Sequence, residues 1–70
     1  MKVYYDKETD SAYIELSSDK ATGVVDVSEG VNLDTTADNR IIGIEILEAS
    51  KKLSLSSLFN YEVDQDLVGV

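Results

Sequence analysis

Seventy residues provide for one thin core, so the stability margin is small unless a partner adds to it. Fourteen acidic against six basic side chains give a net charge of −8, which favours solubility and argues against nucleic acid, whose phosphates require a basic patch. Cysteine and histidine are both absent, which excludes a disulfide framework, a thiolate metal cluster and the usual proton shuttle at neutral pH.

In chain order, Lys2-Val3-Tyr4-Tyr5 is β-prone and runs straight into Asp6, Lys7, Glu8 and Asp10. No long apolar stretch opens the chain, so no signal peptide is expected. Nor does any segment approach the roughly 20 apolar residues of a membrane span, and a cytoplasmic protein that leaves membranes alone is the expectation. After the polar break at 6–10, Ser11-Ala12-Tyr13-Ile14-Glu15-Leu16 alternates, with Ala12, Ile14 and Leu16 on one face and Tyr13 and Glu15 on the other. The two stretches predict a first hairpin.

Ser17 to Lys20 is the next turn, and Val24-Val25-Asp26-Val27 is a third strand with Val25 and Val27 expected inward. Ser28-Glu29-Gly30 then reverses the chain into Val31-Asn32-Leu33-Asp34, whose Val31 and Leu33 match the Ile42, Ile44 and Ile46 row of the following strand. Asp38-Asn39 forms the tip between them, where asparagine tolerates the left-handed conformation. Gly43 interrupts a strong strand at some cost, which points to a bulge or to room for a neighbouring ring such as Tyr13; a ligand close to the backbone is the functional alternative. The midpoint of the isoleucine row, Ile44, is expected in the central core.

Beyond Leu47 the pattern changes. Glu48 to Leu53 predicts a short helical turn, and Ser54 followed by Leu55-Ser56-Ser57-Leu58-Phe59-Asn60 predicts a capped helix of one or two turns laid on the sheet. The fold class expected is α+β: an antiparallel sheet of four or five hairpin-built strands with a short C-terminal helix packed on it. Residues 1–60 form the single domain. Residues 61–70 form an acidic tail whose Val63, Leu67 and Val68 suit an edge strand or a partner contact.

Candidates for chemistry are few. Asp6, Glu8 and Asp10, and separately Asp34, Asp38 and Asn39, offer oxygens to a hard cation, but neither set has the EF-hand spacing, and Asp and Asn at such positions ordinarily shape turns. Glu15 and Glu45 would face each other as a carboxylate pair for hydrolysis only if their strands are neighbours; solvated glutamates are the plainer reading. The hydroxyls of Ser11, Ser17, Ser18, Ser50, Ser54, Ser56 and Ser57 lack a histidine base, which leaves a Ser-Lys arrangement through Lys51 or Lys52 open. Tyr4, Tyr5 and Tyr13 suit either the core beneath the helix or a subunit interface. No catalytic, cofactor-binding or metal-binding residue is therefore assigned.

The motifs Tyr5-Asp6, Asp10-Ser11-Ala12-Tyr13-Ile14 and Gly30-Val31-Asn32-Leu33-Asp34, then Arg40-Ile41-Ile42-Gly43-Ile44-Glu45-Ile46-Leu47 and Ala49-Ser50, closely resemble the small bacterial and archaeal family known as domain of unknown function 2283. They cover residues 1–53. That family commonly has glycine at the turn position held here by Asn39. The resemblance implies a compact β-rich protein and brings no established activity, so no catalytic residue or cofactor carries over. It leaves open a place beside a partner, such as the antitoxin-like member of a pair. A non-catalytic protein-binding or self-associating module is the expected function, as a homodimer or with a partner that acidity would make basic. The alternative is a small carboxylate hydrolase or a binder of divalent cations or other ligands.

Overall fold

Alternating apolar and polar residues form five strands, β1 (Lys2–Asp6), β2 (Ser11–Glu15), β3 (Gly23–Ser28), β4 (Val31–Thr35) and β5 (Ile41–Ile46). A computed structural model describes residues 1–64. The strands make one antiparallel sheet in the order β1-β2-β5-β4-β3, so the last strand to be made lies at the centre. A four-residue helix, α1 (Ala49–Lys52), and a 3-10 turn over Leu55–Phe59 complete the α+β fold.

The turns follow from local chemistry. The Asp6 carboxylate accepts the backbone N–H of Glu8 at 2.9 Å and of Thr9 at 3.4 Å. Gly30 (φ 72°) and Asn39 (φ 65°) supply the left-handed residues of the β3–β4 and β4–β5 turns. Thr36 braces the second of these by accepting the Arg40 amide on its hydroxyl at 3.0 Å.

Register sorts the side chains into rows that run across the whole sheet. On one face Val3, Ile14, Ile44, Leu33 and Val25 sit side by side, next to a second row of Tyr5, Ala12, Ile46, Val31 and Ser28. The opposite face carries Tyr4, Tyr13, Glu45, Asn32 and Asp26 in one row and Lys2, Glu15, Gly43, Asp34 and Val24 in the next. The helix packs against the sheet where Tyr5 and Ala12 lie. Ala12 and Ala49 are almost wholly buried, and Leu53, Leu55 and Leu58 are half-buried.

Three expectations change. Val25 and Val27 are about half exposed, not inward, because β3 is an edge strand; a bulge between Asp26 and Ser28 also leaves Val27 without a register partner. Ile44 marks the middle of its row but is only half-buried; Ile42 is the isoleucine that reaches the core. Ile42 is the extra residue where β4 and β5 shift register, and its carbonyl accepts the amides of Leu16 (2.7 Å) and Ser17 (3.1 Å). Ser54 does not cap the 3-10 turn; its hydroxyl meets that of Ser56 at 3.0 Å. Residues 61–64 form no strand, and Leu67 and Val68 lie outside the described residues.

Ile42→Ala removes the buried isoleucine and should cost about 2–5 kcal/mol, whereas Ile44→Ala, at a less buried position, should fall near the low end of that range. Denaturant unfolding of both variants at one low protein concentration checks the order.

Candidate functional site

Two clusters of polar side chains stand out, one on the open face of the sheet and one at the seam between sheet and helix. On the open face, a Cβ at Gly43 would collide with the hydroxyl oxygen and Cζ of Tyr13 and would lie 3.0 Å from the Ile14 carbonyl. Tyr13 projects from β2, crosses β5 through the space that Gly43 leaves, and donates its hydroxyl to Asp34 on β4 at 2.8 Å. Three strands are thus tied by one side chain. The Tyr4 ring lies 6.4 Å from that of Tyr13, tilted by 42°, and its hydroxyl donates to Glu15 at 3.1 Å. Asn32 donates to Glu45 at 3.3 Å.

The Asp34 hydrogen bond, then burial, then the charges of Asp34, Glu15 and Glu45 push the Tyr13 hydroxyl up from 10.0 to about 12. Glu15 and Glu45 do lie on neighbouring strands and on the same face. They are offset, however: Glu45 stands opposite Tyr13, and Glu15 opposite Gly43.

At the seam, Asp10 adopts a left-handed conformation (φ 53°) and works as a cap for α1 from 40 residues away. Its carbonyl accepts the Ala49 amide at 2.8 Å, and its carboxylate accepts the Ser50 amide at 3.1 Å and the Ser50 hydroxyl at 2.6 Å. Tyr5 donates to the same carboxylate at 2.7 Å. The Ser50 hydroxyl, and after it Tyr5, hold the Asp10 carboxyl below its ordinary value of 3.8.

The cation and nucleophile candidates resolve accordingly. Asp6 braces a turn, Asp10 caps a helix, and Asp34 holds Tyr13, while Asp38 accepts the Thr36 hydroxyl, which lowers its pKa. Among the described residues no three His, Cys, Asp or Glu side chains are grouped to hold a metal ion. Lys51 pairs with Glu48 at 2.8 Å and Lys52 donates to the Leu47 carbonyl, so neither lysine is spent on a serine. Both border an open cleft of about 600 Å³ with Glu29, Gly30 and Leu47. Among the described residues no helix is long and apolar enough to cross a membrane.

A family model described as a protein of unknown function (DUF2283) matches residues 2–50. That span runs from the first residue of β1 to the serine that Asp10 caps. No curated protein and no solved structure matches the chain.

Two outcomes test this geometry. A pH titration of phenolate absorbance should show one of the four tyrosines ionising near 12, and Asp34→Asn should bring it back toward 10.0. Because the folded value is raised, this stabilisation is complete below pH 10.0 and disappears as pH climbs toward 12. For Asp10 the sign reverses. Its depressed folded value contributes stability that is full above the ordinary value of 3.8 and vanishes as pH drops through the lower folded one. Asp10→Asn should therefore be less stable than wild type at neutral pH, and the gap between their unfolding midpoints should narrow as pH falls through that window.

Proposed function

We propose, for a chain that belongs to the DUF2283 family, that it is a non-catalytic module that self-associates through the apolar face of its sheet. One observation carries this reading: the row Val3, Ile14, Ile44, Leu33, Val25 crosses all five strands without a charge, and none of its members is buried. A sheet ordinarily buries one face against a second layer, and the short helix covers only part of this one. Charge placement favours a second copy as that layer. Each chain carries −8, but the carboxylates of the strands sit on the opposite face and at the ends, so two copies meeting on the apolar rows keep their charges apart.

Sedimentation over a concentration series should show a reversible dimer that persists or strengthens at high salt, since salt screens like charges and favours apolar burial. Val25→Asp, at a half-exposed edge position, should leave the monomer folded and weaken the dimer by about tenfold or more, the effect of roughly 1.4 kcal/mol. A monomer at every concentration, in both salts, would refute self-association.

A further inference from the structure

The other face of the sheet is open and built differently. Its two rows carry Glu15, Asp26, Asp34 and Glu45, with Lys2 at one edge as their only cation. Two tyrosine rings lie among these carboxylates. Because the end of the Tyr13 ring occupies the space above Gly43, the ring leans across the sheet instead of standing up from it, and Tyr4 flanks it at 6.4 Å. The hydroxyls point to carboxylates, Tyr13 to Asp34 and Tyr4 to Glu15, and the Tyr4 side chain is about half exposed.

Glu15 and Glu45 are each steadied by one donor, from Tyr4 and Asn32. Among the described residues their second oxygens, Glu15 Oε1 and Glu45 Oε2, accept no hydrogen bond. The Asp34 hydrogen bond first, burial second and the charges of Asp34, Glu15 and Glu45 after them keep the Tyr13 hydroxyl protonated up to about 12.

We propose that this face binds an arginine-bearing segment of a partner protein, with the guanidinium over the Tyr13 and Tyr4 rings and its N–H groups donated to Glu15 and Glu45. Cations are attracted to the faces of aromatic rings, and a guanidinium adds planar stacking and a fork that matches carboxylates. An ammonium offers the charge without the plane. Its rows run across all five strands, a length that suits a segment of a larger partner more than a small free cation. This inference concerns the face opposite the proposed dimer contact, so either can fail alone.

The test is titration of the full chain with a hexa-arginine peptide at near-physiological salt, followed by amide chemical shifts. Shifts should centre on Tyr4, Tyr13, Glu15, Gly43 and Glu45. Tyr4→Leu, at an exposed edge position, and Glu45→Gln should each weaken binding by at least about threefold, within what one cation–π or ion-pair contact contributes. Glu29→Gln removes the same charge from the β3–β4 turn and should change binding by less than about twofold, because the contact is local. Three results would each overturn the proposal: no binding, shifts centred on the Val3 to Val25 row, or an equal loss in Glu29→Gln and Glu45→Gln.

Discussion

The absent side chain at position 43 is the constraint on which the open face is organised. Glycine in a central strand ordinarily weakens the sheet, because it orders a flexible backbone and packs nothing. Here the space is filled by the Tyr13 ring, which trades intrinsic strand preference for a bond that reaches from β2 to β4. Everything nearby is arranged around that crossing: Tyr4 lies beside the ring, Asp34 receives the hydroxyl, and Glu15 and Glu45 are spread to either side. The two glutamates stand at offset positions, Glu45 opposite Tyr13 and Glu15 opposite Gly43, with the end of the Tyr13 ring over Gly43. A site that resembles acid–base chemistry by composition is thus an aromatic and anionic surface by geometry.

The opposite face obeys a different economy. Among the described residues no large side chain is fully buried, so cohesion rests on a small core of Ala12, Ile42 and Ala49 and on the polar knot that ties the sheet to the helix. A helix of four residues cannot persist on its own propensity. Its first N–H groups are satisfied by Asp10, a residue of the first hairpin, so α1 exists because the sheet does. The left-handed conformation of Glu48 immediately before it costs energy that this knot has to offset.

Which of these features could be read from the residues follows from their range. The strands, the β4–β5 hairpin, the left-handed Asn39 and the Tyr13–Gly43 fit depend on alternation, turn chemistry and one conspicuous glycine, all of which are local or nearly so. Position in the sheet is not local. Alternation in Val24 to Val27 looks the same in an edge strand as in a central one, so the pattern alone turns inward the valines that the sheet edge leaves half exposed. The register shift falls beside Gly43, one of the two readings that glycine invites, but which isoleucine it buries has no marker, since Ile41, Ile44 and Ile46 are as hydrophobic as Ile42. Asp10 was visible as a turn residue and as a candidate ligand. Its role as a remote cap depends on the pairing of residues 40 apart, which only the assembled sheet brings about. Ser54 erred the other way, having the right residue type beside a turn too short and tight to need it.

The strand order has a consequence for how the chain is made. During synthesis the β1–β2 and β3–β4 hairpins leave the ribosome as complete local units, each with one strand edge still unsatisfied. Those two edges, on β2 and β4, can bond nothing of their own until Ile41–Ile46 emerges and enters between them. Until then the nascent chain displays two sticky edges lined with Ile14 and Leu33, the kind of template on which neighbouring nascent chains pair wrongly. The centre strand therefore acts as a zip that closes last. Closing β2 onto β5 joins residues some thirty positions apart, a loop-closure step slower than either hairpin.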